Sequence, residues 1–220
     1  MHRIRKEVEV KLPVASRAAV LRRLVELGAK SAAPRVHEMN TLFDTADGDL
    51  ARRGQMVRIR VESPISRRRK AAYSEMGGVV TLTYKGPVEP GRRRAQRYKV
   101  REEYEVRVAS AEPMEQILQG MGLRPWFRYE KYRQPFRLPK LPGVVVDLDE
   151  TPAGDFLELE GTPAAINRGA RLLGYAPADY IVRSYAGLYW HSLHLRRGGI
   201  SQNEPTPKSG LPDMLFSRPR

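Results

Sequence analysis

The 220-residue chain contains no cysteine, so composition alone excludes a disulfide framework, a thiolate zinc site and a cysteine nucleophile. It has no apolar run approaching the length of a bilayer span. Its opening, MHRIRKEVEV, has a positive start with no apolar stretch behind it. A soluble cytoplasmic protein is the expectation. Neither GxGxxG nor GxxxxGK[ST] occurs, so no glycine loop is present to cradle a phosphate. Negative charge is in short supply: 25 Asp and Glu stand against 39 Lys and Arg, a net charge of +14 with a pI near 10.3.

That excess calls for an anionic partner, with nucleic acid, acidic membrane and polyphosphate as the candidate classes. Much of it sits in the runs Arg67 to Lys70 and Arg92 to Arg94, which lie between strand-like segments and read first as solvated loops. The length fits one domain, residues 1–195, followed by a tail. From Arg196 onward the chain is Gly, Pro, Ser and Arg with little to bury, which predicts a disordered segment over 196–220.

Residues Arg3 to Leu12 alternate strictly, with Glu7, Glu9 and Lys11 on one side and Val8, Val10 and Leu12 on the other, so they form a strand with one charged face. Pro13 is expected to end it. Ser16 can then cap a helix carrying Val20, Leu21, Leu24 and Leu27, which Gly28 stops. A second strand is expected over Val36 to Asp44, followed by a short helical piece closing at Gly54. Strands over Met56 to Glu62, Val79 to Lys85 and Arg97 to Val108 repeat the charged-against-apolar split. A helix is expected over Pro113 to Met121, strands over Trp126 to Phe136, Val144 to Asp149 and Asp155 to Gly161, and helices over Ala164 to Leu173 and Ala178 to Leu193.

An ordinary sandwich would turn the charged faces to water and is the commoner arrangement. A closed barrel would turn them inward and leave the apolar faces to be roofed by helices. The amphipathic helices need apolar sheet surface to cover, and acidic residues recur two apart on the strands as Glu7/Glu9, Glu103/Glu105, Asp147/Asp149 and Glu158/Glu160. Basic residues recur likewise as Arg58/Arg60 and Lys131/Arg133. A solvated face needs no such pairing, which favours the barrel.

Carboxylates two apart on a strand project from one face roughly 6 to 7 Å apart, close enough to share a metal or flank two. Several such pairs repel unless a divalent cation or a basic partner sits among them. Hard oxygen donors without cysteine point to Mg2+ or Mn2+ over zinc. Arg and Lys pairs can clamp phosphate oxygens, so together the pairs make a metal-triphosphate site. His191 and His194 are spaced for one helix face but lack a carboxylate and make a poor ligand set. Ser184 and Tyr185 could reach substrate, although capping and core roles are the ordinary reading.

The opening EVEVK resembles the signature of the CYTH superfamily, the triphosphate tunnel metalloenzymes. The resemblance continues in order through HEMNTLFDTADGDLARRGQMVRIR, VTLTYKGP, REEYEV, EKYRQPF and FLELEG, covering roughly residues 3 to 190. It implies an α+β fold, an eight-stranded antiparallel closed β-barrel with a charged interior, covered outside by helices. It also implies that Glu7 and Glu9 ligate metal with Glu158 and Glu160, that Glu103 and Glu105 contribute from the fifth strand, and that Asp147 lies near a second metal. Lys11, Arg58, Arg60, Lys85, Arg101, Lys131 and Arg133 match the basic positions that hold the triphosphate, with Lys11, Arg58, Arg60, Lys131 and Arg133 closest to the chemistry. The Arg-rich insert from Pro64 to Gly78 has no obvious counterpart.

The expected partner is therefore a small triphosphate rather than nucleic acid or a membrane, and a homodimer stays open. One metal would bridge substrate oxygens while a second activates the nucleophile. The nucleophile is water in a hydrolase and the ribose 3'-hydroxyl in an adenylyl cyclase. Hydrolysis asks only for the triphosphate grip and is the first expectation. A non-enzymatic RNA or polyphosphate binder, using the outer charge, is the rival from another class.

Overall fold

The computed structural model describes residues 5–65, 78–88, 98–196 and 213–216. Nine strands form one sheet: β1 (Arg5–Val14), β2 (Lys30–Ser31), β3 (Val36–Asp44), β4 (Met56–Pro64), β5 (Val79–Lys85), β6 (Lys99–Val108), β7 (Arg124–Arg137), β8 (Val145–Thr151) and β9 (Gly154–Glu160). Their order is β2-β7-β3-β4-β5-β6-β1-β9-β8, and β8 pairs back onto β7. Eight strands thus close into an antiparallel barrel, and β2 lies outside it along the end of β7. The 14 residues of β7 make closure possible, since its first part pairs β3 through Arg133 and its last part pairs β8 from Tyr132 onward.

The barrel is inverted in polarity relative to a simple β-sandwich. Outward side chains of β1, β8 and β9, including Val10, Leu12, Val146, Leu148, Leu157 and Leu159, are covered by Val20 and Leu24 of α1 (Arg17–Glu26) and by Ile166 and Ala170 of a later helix, Pro163–Leu172. Phe43, Ile59 and Val80 on the opposite side lie under Leu118 of the helix Ala111–Gly120. With α2 (Asp49–Arg52) following α1 in sequence, these two helices are α3 (Ala111–Gly120) and α4 (Pro163–Leu172), and α5 (Tyr185–Arg196) follows. α1, α3 and α4 each bury an apolar stripe on the sheet's outer face, and many of the alternate, inward residues of the barrel strands are charged. No described helix is long and apolar enough to cross a membrane.

Local signals account for most boundaries. Ser16 Oγ accepts from Ala19 N at 3.3 Å to start α1, and Gly28, at φ 68°, ends it in the left-handed region. Asp44 caps α2, with its carboxylate accepting from Leu50 N and Ala51 N at 2.9 Å.

Three expectations are corrected. Pro13 does not end β1, which continues to Val14 opposite Asp155 of β9. On the edge opposite β9, the described pairing runs with β6 as far as Glu9 and then with Ile181 at Lys11, so at Pro13 the missing N–H costs no ladder bond. The helix expected from Ala178 begins only at Tyr185, because Ile181 exchanges two 2.9 Å backbone bonds with Lys11 and holds the chain extended in between. The third is in the C-terminal region. The Arg-rich runs and most of 196–220 lie outside the described residues, but Asp213–Phe216 runs parallel along β7. Met214 there is fully buried against Tyr129 and Tyr185, with Met214 N donating to Arg128 O at 2.8 Å.

Candidate active site

Strand register sets opposite charges face to face across the barrel wall. Glu7 of β1 lies opposite Arg101 of β6, and Glu9 opposite Lys99; on its other side Lys11 lies opposite Glu158 of β9. Further round, Lys85 faces Glu103, Thr83 faces Glu105, Glu38 faces Lys131, and Arg133 faces Asp149. Because each of these is an inward position, the pairs meet inside the barrel and enclose a cavity of about 210 Å3. Its wall includes Glu7, Glu9 and Lys11 from β1, Arg58 and Arg60 from β4, and Lys85 from β5. Arg101, Glu103 and Glu105 of β6, Lys131 and Arg133 of β7, and Glu158 and Glu160 of β9 complete the residues expected there.

The acids are held by neighbouring cations. Lys85 Nζ lies 2.6 Å from Glu7 Oε2 and 3.1 Å from Glu103 Oε1, and Arg58 Nη2 lies 3.4 Å from Glu105 Oε1. Lys11 Nζ sits 3.3 Å from Glu9 and 3.9 Å from Glu158. Burial alone would depress the Lys11 ammonium, but Glu158 and Glu9 outweigh it and hold the group charged far above the ordinary lysine range. Burial likewise works against ionised Glu158, and Lys11 with Arg133 reverses the balance, keeping its carboxyl well below the usual range.

Deeper in the wall formed by β3, β7 and β8, Glu38, Lys131 and Asp149 have almost no solvent exposure. Lys131 Nζ lies 2.9 Å from Asp149 and 3.4 Å from Glu38, while Arg133 forks onto Asp149 at 2.7 and 2.6 Å and reaches Glu158 at 3.0 Å. Burial opposes a charge on Glu38, yet Arg60, Lys131 and Arg133 overcome it and hold that carboxyl far below its usual value. Tyr185 closes this network. Its hydroxyl donates to Asp149 Oδ2, and its ring lies 5.0 Å from Lys11 Nζ and 4.9 Å from Lys131 Nζ. Burial, then Asp149 and Glu158, pushes the Tyr185 phenol well above its ordinary value, so it stays a donor.

Sequence reasoning missed Glu38 and Lys99, carried Asp149 only as the partner of Asp147 in an acidic pair, and did not give Tyr185 its central place. Glu38 stands outside the two-apart acidic pattern, its inward neighbour being Asn40. Only the polar alternation Glu38/Asn40 on a strand could have signalled it. Asp147 sits behind Arg133, 2.9 Å from its Nη1, rather than on the cavity wall. Burial raises its carboxyl to about 6; Arg133 opposes the rise, and Asp149 and Glu158 add to it.

Two donors in the wall make no hydrogen bond: the Nε atoms of Arg58 and Arg101 are buried, the latter 4.0 Å from Glu7 Oε2. An unmet buried donor costs about 1–3 kcal/mol, and an anion's oxygen is what such a guanidinium lacks. As to a metal, no three carboxylates among the described residues come together in a geometry that would hold one. The donors still suit a hard cation: they are carboxylate oxygens, and Glu9 and Glu158 converge on the position taken by the Lys11 ammonium.

Comparison with known proteins bears on the same residues. A Methanocaldococcus jannaschii protein named "Putative adenylate cyclase" is 28% identical over 167 residues, 76% of this chain and 83% of its own. In fold, the chain is similar to an X-ray structure of a "putative adenylate cyclase" from Vibrio parahaemolyticus, with TM-score 0.65, 18% identity and coverage of 84% of this chain and 98% of that one. It is also similar to a Hippeastrum protein described as a "putative adenylyl cyclase" with a dominant triphosphatase activity, with TM-score 0.54, 19% identity and coverage of 89% and 98%. Residues 5–185, which span every strand of the charged barrel, match the CYTH domain model, and the chain belongs to the CYTH domain family.

Proposed function

We propose that the barrel interior is the active site of a divalent-metal-dependent enzyme that grips a triphosphate and hydrolyses it. The observation that carries this reading is the pair of buried guanidinium nitrogens, Arg58 Nε and Arg101 Nε, that make no hydrogen bond on a cavity wall also lined by Lys11, Arg60, Lys85, Lys131 and Arg133. A triphosphate gives Arg58 and Arg101 their acceptors and offers Lys11 and Lys85 an alternative anion. Lys85 then releases Glu7, and Lys11 releases Glu9 and Glu158. The freed carboxylates, Glu7, Glu9 and Glu158, are the side chains that would hold Mg2+ or Mn2+. The bound metal supplies polarisation of phosphoryl oxygens and activation of the attacking water. Arg58, Arg60 and Lys131 line the cavity and neutralise negative charge that builds on the leaving phosphate. Tyr185 keeps its proton and orients Asp149 and, through it, Lys131 and Arg133.

A second reading follows from the Methanocaldococcus jannaschii relative's name. The same grip on ATP, with the ribose 3'-hydroxyl attacking the alpha phosphorus, yields cyclic AMP and pyrophosphate. Purified protein incubated with magnesium or manganese and with ATP, tripolyphosphate or thiamine triphosphate separates the two by products. Orthophosphate as main product supports hydrolysis, and cyclic AMP with pyrophosphate replaces it by cyclisation. No metal-dependent product from any substrate removes both.

A further inference from the structure

β7 pairs β3 from Arg124 to Arg133 but meets β8 only from Tyr132 onward, because β8 ends at Thr151 and turns back into β9. The first part of β7 therefore has one edge that β8 does not cover, and the amides on such an edge need partners. Asp213–Phe216 takes that edge as a short parallel segment. Met214 N donates to Arg128 O at 2.8 Å, and Glu130 N donates to Met214 O at 3.0 Å. The Asp213 carboxylate accepts from Arg128 N at 2.7 Å, the Glu130 carboxylate accepts from Phe216 N, and the Phe216 ring lies 5.3 Å from that of Tyr132. Backbone bonds, a side-chain cap at the start and a ring contact at the end make this a built seat.

Asp213 and Leu215 are exposed and Phe216 is half-buried, but Met214 is sealed in one cluster with Tyr129, Phe156 and Tyr185. Tyr129 and Tyr185, with ring centroids 5.8 Å apart, also border the charged cavity. The Tyr185 hydroxyl donates to Asp149 and lies 3.2 Å from Glu158 Oε2, so a shift of that ring moves a donor that two acids of the network share. An unbranched thioether suits the irregular gap against these rings. We propose that Met214 is a positioning residue of the tunnel. Seated by strand addition on β7, it fixes the Tyr185 ring and thereby the Asp149 carboxylate that holds Lys131 and Arg133. Asp213–Phe216 thus belongs to the tunnel wall. The effect on turnover rests on the triphosphate reading above, whereas the seat does not.

Amide hydrogen exchange and turnover, both measured on the full chain, test the assignment. In Met214→Ala the Glu130 amide, which the segment covers, is expected to lose protection by about tenfold or more, the scale of a truncated buried methionine, with protection elsewhere in the barrel kept. Turnover of the best of tripolyphosphate, ATP and thiamine triphosphate is expected to fall about tenfold in Met214→Ala and to stay within about twofold of the parent in Met214→Leu, which refills the gap. In a Tyr185→Phe background no hydroxyl is left to position, and there Met214→Ala should change turnover by less than about twofold. Asp213→Ala, at an exposed residue, removes the cap on Arg128 N and is expected to move both readouts in the same direction as Met214→Ala. Equal losses of turnover in the two backgrounds, a loss that Met214→Leu does not repair, or full turnover beside an unprotected Glu130 amide overturns the positioning role while the triphosphate reading stands. Unchanged Glu130 protection in both Met214→Ala and Asp213→Ala overturns the seat. A parent protein that turns over none of the three substrates removes the triphosphate reading, and the positioning role with it.

Discussion

The two sides of the tunnel carry similar charged strand faces yet are organised differently. On the β3, β7 and β8 side, Glu38, Lys131 and Asp149 are withdrawn from solvent and interlocked by ion pairs of 2.9 to 3.4 Å. On the β4 to β6 side, Arg58 and Arg101 keep unmet donors, and the Glu105 side chain is 42% exposed. In the first wall the buried charges are paired with one another, with Glu38 Oε1 making no hydrogen bond but lying 3.6 Å from Arg133 Nε. In the second, two guanidinium nitrogens beside the cavity make no hydrogen bond, although Glu105 and Glu7 lie 3.4 and 4.0 Å from those arginines. Charge alternation along a strand thus places a residue inside the barrel, but its neighbours decide whether it builds the wall or serves the ligand.

The largest effect on stability is expected from breaking the closed wall. Glu38→Gln removes the carboxylate that Lys131, Arg60 and Arg133 share, leaving Lys131 and Arg133 with Asp149 and Arg60 with Glu62, and should cost about 1–3 kcal/mol in urea unfolding, the scale of a charged hydrogen-bonding partner lost from a buried network. The sign with pH follows from the same carboxyl. Its folded value lies below the usual 4.5, so its stabilisation is present above that pH and is lost as the solution is acidified further; Glu38→Gln should flatten that acid limb.

Next in size is the open wall. Arg101→Met should lower turnover by about 10²- to 10³-fold, the scale of one lost donor to developing charge, while stability to urea falls little or rises because an unmet donor is removed. An equal loss of stability in both variants would erase the distinction between the walls. Tyr185→Phe, which removes only the hydroxyl bound to Asp149, should reduce turnover by a smaller factor and leave the tyrosine-wall packing in place.

The smallest effect concerns Asp147. Its folded value of about 6 is raised above the ordinary 3.8, so its contribution to stability is present below about pH 4 and is lost as pH rises through about 6. The melting temperature of Asp147→Asn relative to the parent should therefore climb across that interval. A difference that is flat with pH would show that Asp147 does not titrate there.

Much of the barrel was legible because a period of two, with charge on one side and valine, leucine or isoleucine on the other, is written into almost every strand; Val36–Asp44 and Val79–Lys85 match residue for residue. What escaped depends on contacts between distant segments. Pro13 reads as a terminator until β9 is known to pair on the only edge that matters there. The start of α5 is set by Lys11 gripping Ile181, a bond across 170 positions that no local pattern announces. Met214 looks dispensable in a stretch rich in Pro and Gly, yet it fills a gap against Tyr129 and Tyr185. In the site, paired acids were readable and single ones were not: Glu38 emerged only when β3 and β7 were set side by side. The unmet donors of Arg58 and Arg101 are a property of packing and have no signature in sequence.

The account turns on an exchange of partners, in which triphosphate takes the cations and thereby frees carboxylates for metal. Calorimetric titration of tripolyphosphate, with and without magnesium, into the parent protein and Glu9→Gln tests it most directly. The account expects tighter binding with magnesium in the parent protein, and loss of most of that gain in Glu9→Gln. Binding that is equal or weaker with magnesium, or a gain that survives Glu9→Gln intact, would contradict it.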